Sequence, residues 1–303
     1  PSYDLAGLTG RVVQRGMGTT IFTNEDNDYT VQTVAEAGRL TLSTTSTNTR
    51  GIQVLSGATV ELPAKLDSFT NTGGITYTGD GTIIRSAPWG DFRTLVGDAG
   101  GTIDLSVGGR LVIAGGETRL VNSAKTDWTS NEGSLTVANS AVLNLYDSGI
   151  TPAAGQADTN IYIDALDGGG RIWRTLLDDD AASPESTIIM GVGNTDGHFS
   201  WQIQDGNSDT IGKINLEKRG TGTQILSGNN ALRGSVTIDG GTLQVGAGGA
   251  TGQLGTGAIT NNANLAFNRS NNSNELIIYN QVSGTGTLTV QRSGGIRFEQ
   301  AVT

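Results

Sequence analysis

The sequence predicts an all-β protein whose chain coils into a right-handed parallel β-helix, also called a β-solenoid. Short runs of alternating apolar and polar residues recur along the chain, and glycine, with 46 of 303 residues, is about twice as frequent as usual. No stretch of ten residues carries the apolar stripe of an amphipathic helix. Parallel strands without crossover helices stack as a solenoid, whereas a β-sandwich and a propeller are the structural alternatives.

The clearest strand pattern lies in residues 214–246, where four apolar-alternating runs follow one another and each is closed by glycine or asparagine. A period of two places one face of each run in the core and the other in solvent. Glycine and asparagine tolerate the positive φ angles of tight turns. Four such strands bury too little surface to fold alone, so we predict that they stack on further rungs of the chain.

The C-terminal runs predict one continuous apolar core, because their apolar residues alternate between glycine turns. The residues expected to point into this core are Val236, Ile238, Leu243, Val245, Leu265, Phe267, Ile278, Leu288 and Val290. The alternation continues to Ile296 and Phe298. We therefore predict an open C-terminal edge that pairs with further sequence or with another copy of the chain.

Changes in the strand rhythm divide the chain into four parts. Residues 1–37 are expected to form irregular strands or a cap, and residues 38–146 regular rungs. Residues 147–209 contain long polar loops and bulkier strands, so they are either widened rungs or a small excursion within the solenoid. Residues 210–303 are expected to return to rungs with the clearest repeats. Because loops on such scaffolds carry function, the third part is the first place to search for a site.

Composition argues against several classes of function. The formal charge is −10 and the 19 basic residues are scattered singly, so we expect no nucleic acid partner. Cysteine is absent, which excludes disulfides and thiolate metal sites. No run of 18 apolar residues occurs, so no helix of this chain is expected to span a membrane.

The acidic run Asp178, Asp179 and Asp180 is the first candidate binding site. Carboxylate oxygens suit calcium, but three consecutive residues of a strand point to alternating faces, and the run lacks the spacing of a calcium loop. A solvated loop is therefore the main expectation, with calcium as the alternative. We predict no metal site and no cofactor.

Trp173 and Trp201 are the second candidate, since an exposed indole ring can stack on a sugar. They belong to a set of four tryptophans that also includes Trp89 and Trp128 and has no repeating interval. The alternative is that these side chains fill irregular corners or the ends of rungs. Both interpretations remain open.

Catalytic residues are not predicted. His198 is the only histidine and no G-x-S-x-G elbow accompanies it, so a nucleophilic triad has no support. Glycoside cleavage needs two acids across a sugar, for which Asp164 with Asp167, or Asp178 with Glu185, are weak candidates. We predict that the protein is not an enzyme, with a polysaccharide-active enzyme on a β-helix as the alternative.

The succession K-x-G-x-G-T-x-x-L-S-G-x-N and then G-x-x-T-I-x-x-G-T-L-x-x-G resembles the β-strand repeat of bacterial autotransporter passenger domains. The resemblance is best over residues 214–290. The matching residues are Lys218, Gly220, Gly222, Thr223, Leu226, Ser227, Gly228, Asn230, Gly234, Thr237, Ile238, Gly241, Thr242, Leu243 and Gly246.

The resemblance implies an extracellular protein on the bacterial outer surface that acts in adhesion or self-association through extended polar faces. Its partners would be a host surface, a glycan or another copy of the chain. A homo-oligomer or an extracellular filament joined through open terminal rungs is the structural alternative. The resemblance also implies that the signal peptide and the translocator are missing from this sequence, as in a mature or trimmed portion.

Overall fold

All regular structure in the described chain is β-strand. The computed structural model describes residues 10–22, 31–42, 51–63, 75–86, 102–119, 128, 130–145, 159–174, 185–205, 213–270, 276–291, 296–300 and 302–303. Every pair of hydrogen-bonded strands in these ranges is parallel. None of them contains a helix long and apolar enough to cross a lipid bilayer.

The strands are short and are numbered in chain order. The first ten are β1 (Arg11–Gln14), β2 (Thr19–Phe22), β3 (Gln32–Ala35), β4 (Arg39–Leu42), β5 (Ile52–Val54), β6 (Thr59–Leu62), β7 (Thr76–Gly79), β8 (Thr82–Ser86), β9 (Thr102–Leu105) and β10 (Arg110–Gly115). The next ten are β11 (Glu117–Arg119), β12 (Ser134–Val137), β13 (Val142–Asn144), β14 (Thr159–Ile163), β15 (Leu166–Gly168), β16 (Arg171–Trp173), β17 (Ser186–Met190), β18 (Gly197–Phe199), β19 (Ile203–Gln204) and β20 (Ile214–Lys218). The last are β21 (Thr223–Leu226), β22 (Asn229–Leu232), β23 (Val236–Ile238), β24 (Thr242–Val245), β25 (Gln253–Gly255), β26 (Ile259–Asn261), β27 (Asn264–Phe267), β28 (Leu276–Ile278), β29 (Val282–Ser283), β30 (Thr287–Val290) and β31 (Ile296–Phe298).

These strands form parallel sheets that are stacked along one axis. Sheet I has the order β1-β3-β5-β7-β9, sheet II β2-β4-β6-β8-β10-β12-β15-β18-β21-β24-β27-β30, sheet III β11-β13-β16-β19-β22-β25, sheet IV β14-β17-β20-β23-β26-β29, and sheet V β28-β31. Strands that follow one another in the chain lie in different sheets, so each rung of the coil contributes a strand to sheet II. The spacing between paired residues ranges from about 20 to about 31 residues. The predicted β-solenoid is confirmed.

Sheets I and IV lie on the same side of the solenoid and are joined through the side chain of Asn131. Its Oδ1 accepts a hydrogen bond from the backbone N–H of Leu105 in β9 at 3.0 Å. Its Nδ2 donates to the carbonyl oxygen of Tyr162 in β14 at 2.7 Å. One amide side chain thus bridges the two sheets at a position where, in the described part of the chain, no strand continues from one to the other. Trp128, which is 1% exposed, is buried beside this position, as the corner-filling alternative expects.

The third predicted part of the chain forms rungs where it is described. Strands β14 to β19 pair with β12 and β13 on one side and with β20, β21 and β22 on the other. Strands β1, β2 and β3 of the first part also belong to sheets I and II. The division of the chain into four parts stays a prediction.

The predicted core forms a continuous column of buried apolar side chains, with one exception. Val236, Ile238, Leu243, Val245, Leu265, Phe267 and Ile278 are buried, and Leu288 packs against the column while half-buried. The prediction for Val290 is wrong, since its side chain is 41% exposed. Val290 lies on β30, which is the last strand of sheet II in the described residues, so no further rung covers it. Whether this edge pairs with another chain stays a prediction.

The interior also contains polar side chains, which the sequence pattern does not predict. Gln224 in β21 illustrates their role: its Oε1 accepts from the Leu166 N–H at 3.0 Å, and its Nε2 donates to the Leu166 carbonyl oxygen at 2.8 Å. Leu166 lies two rungs away, and Gly197 of the intervening rung leaves the space through which the side chain passes. Buried amides thus satisfy backbone groups that the sheets leave unpaired.

Lys218, the first residue of the repeat motif, has a buried side chain at the end of β20, with 1% exposure. Its Nζ donates to the carbonyl oxygen of Arg219 and makes longer bonds to the carbonyl oxygens of Gly220 (3.4 Å) and Gly240 (3.3 Å). An ammonium group has three donors and no acceptor, so it fits three converging carbonyl oxygens. Since Gly240 belongs to the following rung, Lys218 ties two rungs together at this corner.

Burial lowers the pKa of the Lys218 ammonium group, although the negative charges of Asp196 and Asp164 act in the opposite direction. The folded chain therefore holds this proton less tightly than the unfolded chain does.

Replacing Ile238 with aspartate should destabilise the solenoid strongly. The substitution places an unpaired carboxylate in the apolar column and removes a buried side chain, which should lower the free energy of unfolding by more than about 3 kcal/mol. Thr237→Asp is the matched control, because Thr237 lies on the same strand and its side chain is half-buried on the outer face. Urea denaturation followed by circular dichroism compares the two. Equal unfolding midpoints would contradict the assignment of Ile238 to the core.

Replacing Lys218 with methionine keeps the length of the side chain but removes all three donors. The three carbonyl oxygens then lose their buried partner, and the free energy of unfolding should fall by about 1–3 kcal/mol. Lys213→Met serves as the control, since Lys213 precedes the same strand and is exposed. A Lys218→Met variant as stable as the native chain would show that the ammonium group contributes nothing net at this corner.

The lowered pKa of Lys218 also predicts a pH dependence. Between that pKa and the usual lysine value of 10.5, the unfolded state binds more protons than the folded state, so the free energy of unfolding should rise with pH. The slope of the free energy of unfolding against pH should be smaller in Lys218→Met than in the native chain. Denaturation at several alkaline pH values, with the variant subtracted from the native chain, measures the contribution. If the free energy of unfolding of the native chain minus that of Lys218→Met fell with rising pH, the predicted contribution of Lys218 would be contradicted.

Candidate functional site

The predicted binding residues fall in different environments. Asp178, Asp179 and Asp180 lie outside the described residues, as does Trp89. Trp173 is half-buried on β16 of sheet III, whereas Trp201 lies in the turn between β18 and β19 and is 60% exposed. Trp201 therefore exposes its indole ring to solvent.

The turn that carries Trp201 is fixed between its neighbouring rungs. Both the N–H and the hydroxyl of Ser200 donate to the carbonyl oxygen of Gly168 in the preceding rung, at 2.8 and 3.2 Å. On the other side, the Trp201 carbonyl group packs directly on Gly228, where a Cβ atom would overlap the oxygen. Gly228, a residue of the repeat motif, thus permits the close approach that positions the indole ring.

Two grooves meet on the outer side of sheet III next to this turn. The smaller groove has a volume of about 290 Å³ and is lined by Ser200, Trp201, Gln202, Gly228, Asn229 and Thr251. The larger has a volume of about 470 Å³ and is lined by Gln204, Asp205, Asn230, Ala231, Leu232, Arg233, Gln253, Gly255, Thr256 and Tyr279. They adjoin along β22, whose exposed residues Asn229 and Ala231 lie on the same face.

Amide and aromatic side chains dominate this surface, which we call the amide–aromatic face. It consists of Trp201, Gln202, Gln204, Asn229, Gln253 and Tyr279. The sequence analysis missed Tyr279, which is 61% exposed. The period-two pattern contains the signal: since Leu276 and Ile278 point into the core, Ile277 and Tyr279 follow on the outer side.

Several hydrogen-bonding groups of this face are available to a ligand. Asn229 uses its Oδ1 to accept from the Gly252 N–H at 3.1 Å, and Gln253 uses its Nε2 to donate to the Asn230 carbonyl oxygen at 3.4 Å. Within the described part of the chain, the Nδ2 of Asn229, the Oε1 of Gln253 and the whole amide of Gln202 make no hydrogen bond. The face therefore offers both donors and acceptors.

Trp173 belongs to the same sheet but has an occupied ring. The guanidinium group of Arg171 lies over it, 4.4 Å from the ring centre, and donates to the Oε1 of Gln204 at 2.6 Å. One face of the Trp173 indole is thus covered by the protein itself. Trp201 and Tyr279 remain the open aromatic side chains of this surface.

The charges at the end of the larger groove are paired. The carboxylate of Asp205, whose side chain is 1% exposed, accepts from the Ile214 N–H at 2.7 Å and from the Arg233 N–H at 2.5 Å. The Arg233 Nε lies 3.5 Å from the same carboxylate. Asp205 therefore fixes the corner between sheets III and IV, and the groove presents little net charge to a ligand.

His198 lies beside a serine that the sequence did not associate with it. The Nε2 of its exposed ring is 2.8 Å from the Oγ of Ser227 on the next rung. The Oδ1 of Asp167 accepts from the backbone N–H of His198 at 3.0 Å. A catalytic triad requires the acid to orient the imidazole ring through its second nitrogen, whereas this carboxylate bonds to the backbone.

The proposed acid pairs have structural contacts of their own. The buried Asp164 accepts from the N–H groups of Gly193 and Thr195 at 2.8 and 3.0 Å, whereas Asp167 lies on the outer side of β15. Glu185 accepts from Asn215 at 2.7 Å. In the ranges that the structure describes, no three acidic or histidine side chains are grouped so that they could hold a metal ion.

Comparison with known proteins gives matches to part of the chain. The family described as Passenger-associated-transport-repeat matches residues 216–245. The adhesin BmaC autotransporter of Brucella suis biovar 1 (strain 1330) is 38% identical over 89 residues, which are 29% of this chain and 2% of that protein. The chain thus spans a small fraction of this relative's length. No solved structure shows significant similarity to the chain.

The matched residues coincide with the motif that the sequence analysis singled out. They run from β20 to β24. They include Lys218, which links two rungs at a corner, and Gly228, which leaves room for the turn of Trp201. They also include Ile238, whose side chain is buried in the core. The relative is an autotransporter as well. The chain therefore carries a passenger-associated transport repeat, and its predicted resemblance to autotransporter passenger domains is confirmed.

Proposed function

We propose that this chain is a surface-displayed segment of an autotransporter-type protein and acts in adhesion, without catalysis. The observation that carries the proposal is the 38% identity to an autotransporter adhesin over 89 residues. Its location would be extracellular, on the bacterial outer surface. The contact partner would be a host surface, and the binding energy would come from an extended face of the solenoid.

The outer sides of the sheets support this proposal because they hold polar side chains in fixed columns. On sheet II, Asn264 donates to Thr242 at 3.1 Å and accepts from Thr289 at 2.9 Å. At the neighbouring corner, Asn262 donates to Asp239 at 2.9 Å. Side chains that are already ordered lose less conformational entropy on binding, so such a face is suited to extended contact.

The proposal that the chain is not catalytic rests on the surroundings of His198. A nucleophilic site needs a base oriented by a third group and donors for the developing oxyanion. The carboxylate of Asp167 holds the backbone of His198 instead of its ring. The contact of His198 with the buried Ser227 links two neighbouring rungs, which supports a structural role for this pair.

Beads coated with the purified chain should adhere to cultured mammalian cells several-fold more than beads coated with the same chain unfolded by heat. Adhesion depends on the folded outer faces, so it should saturate with coating density and be inhibited by excess soluble chain. Flow cytometry measures the bound beads. Binding no higher than that of the unfolded control would contradict the proposed function.

The same preparation separates the alternatives. Clumping of coated beads in the absence of cells would indicate self-association as the main activity. Hydrolysis of ester or polysaccharide substrates that is abolished by both His198→Ala and Ser227→Ala would contradict a non-catalytic role.

A further inference from the structure

We propose that the amide–aromatic face, made up of Trp201, Gln202, Gln204, Asn229, Gln253 and Tyr279, binds an uncharged oligosaccharide. The inference deepens the proposed adhesive function and rests on it for its biological meaning. It assigns one surface of the solenoid and one chemical class of ligand.

The open aromatic rings are the first reason. Trp201 and Tyr279 are 60% and 61% exposed, although the core buries other aromatic side chains, such as those of Trp128 and Tyr77. The faces of pyranose rings carry C–H groups that pack on the electron-rich face of an indole or a phenol. Both rings border the grooves and do not protrude alone from a polar surface.

The free amide groups are the second reason. Each sugar hydroxyl both donates and accepts a hydrogen bond, and an Asn or Gln side chain offers both functions in one plane. The Nδ2 of Asn229, the Oε1 of Gln253 and the amide of Gln202 have no hydrogen-bonding partner within the described residues. They lie between the two aromatic rings along the strand order β19-β22-β25.

The charge of the grooves selects the kind of sugar. The carboxylate of Asp205 is buried and bonded to backbone N–H groups and to Arg233, and the guanidinium of Arg171 is stacked on Trp173. Among the described residues, no lysine lines either groove. With a formal charge of −10 on the whole chain, an acidic glycan would be repelled, whereas an uncharged one would not.

The shape of the face sets the size of the ligand. Trp201 belongs to the rung of β19 and Tyr279 to that of β28, and three rung spacings of about 4.8 Å separate them by about 14 Å along the axis. The small side chain of Ala231 leaves the floor between them open. Because Trp201 precedes β19 and Tyr279 follows β28, an oligosaccharide that contacts both rings has to cross the face diagonally, and a single sugar is too short to do so.

Binding of neutral oligosaccharides to the full chain tests the proposal. The probes are chitotetraose, maltotetraose, cellotetraose and lacto-N-neotetraose, with sialyllactose and a heparin tetrasaccharide as acidic comparisons, and titration calorimetry measures the affinity. At least one neutral probe should bind, and neither acidic one should bind more tightly. Trp201→Ala and Tyr279→Ala should each weaken binding by about tenfold, the loss of one aromatic contact.

Two further variants separate loss of stacking from loss of structure. Trp201→Phe retains an aromatic face and should restore most of the affinity that Trp201→Ala loses. Val107→Ala alters an exposed apolar side chain (55% exposed) outside the face and should leave binding unchanged. Failure of every neutral probe to bind would overturn the proposal, as would binding that Trp201→Ala and Tyr279→Ala leave unaltered.

Cell adhesion distinguishes this proposal from the function on which it rests. Adhesion that persists in Trp201→Ala and after enzymatic removal of cell-surface glycans would refute the oligosaccharide face and leave adhesion intact. Adhesion lost in Trp201→Ala but unaffected by glycan removal would indicate a protein partner and also refute it. Neutral-sugar binding without cell adhesion would support the face and contradict the proposed function.

Discussion

The strands of each rung satisfy their backbone hydrogen bonds mainly through the rungs before and after it, and the rest of the structure depends on that constraint. Parallel pairing is continuous along sheet II, from β2 to β30. At the corners the chain changes direction and the ladder is interrupted. Buried side chains bond to the backbone at two such corners, where Asn131 bridges β9 and β14 and Lys218 bonds to three carbonyl oxygens. Within the strands, Gln224 of β21 does the same for Leu166 of β15. The repeat therefore needs polar side chains at the positions where the hydrogen bonds between strands are interrupted.

The same constraint organises the surface. Because the register between rungs is fixed, outward side chains at equivalent positions form columns along the axis. On sheet II the column is made of threonine and asparagine, which bond to one another. On sheet III it holds aromatic and amide side chains, several of which have no partner within the described residues. The two faces share one backbone but differ in what remains available to a ligand.

Much of the fold could be predicted from the sequence, because period-two alternation and glycine turns are local signals. They identified the rungs of residues 214–246 and nearly all of the predicted core. Val290 was wrongly assigned to the core, because the burial of its side chain depends on a further rung, about which the alternation within β30 carries no information. Lys218 was recognised as a motif residue, yet its inward direction follows from the carbonyl groups of Gly220 and Gly240, which only folding brings together.

The candidate site was predicted less completely, since its parts come from separate rungs. Trp201 could be identified as an isolated aromatic residue, but Tyr279 lies three rungs away and joins it only through the stacking of β19, β22, β25 and β28. The contact between His198 and Ser227 likewise depends on the pairing of β18 with β21. Alternation gives the face on which a side chain lies, and the length of each loop determines which residues meet there.

The bond between Gln224 and Leu166 has a mechanical consequence. A pulling force on one end of a solenoid peels its rungs away singly, because each rung is held mainly by its immediate neighbour. The Gln224 side chain passes over Gly197 and bonds to Leu166 in the rung of β15, so detaching the rung of β21 has to break two hydrogen bonds beyond those to its immediate neighbour. These rungs should therefore resist being pulled apart more than rungs held by their neighbours alone, and they lie next to the turn that presents Trp201.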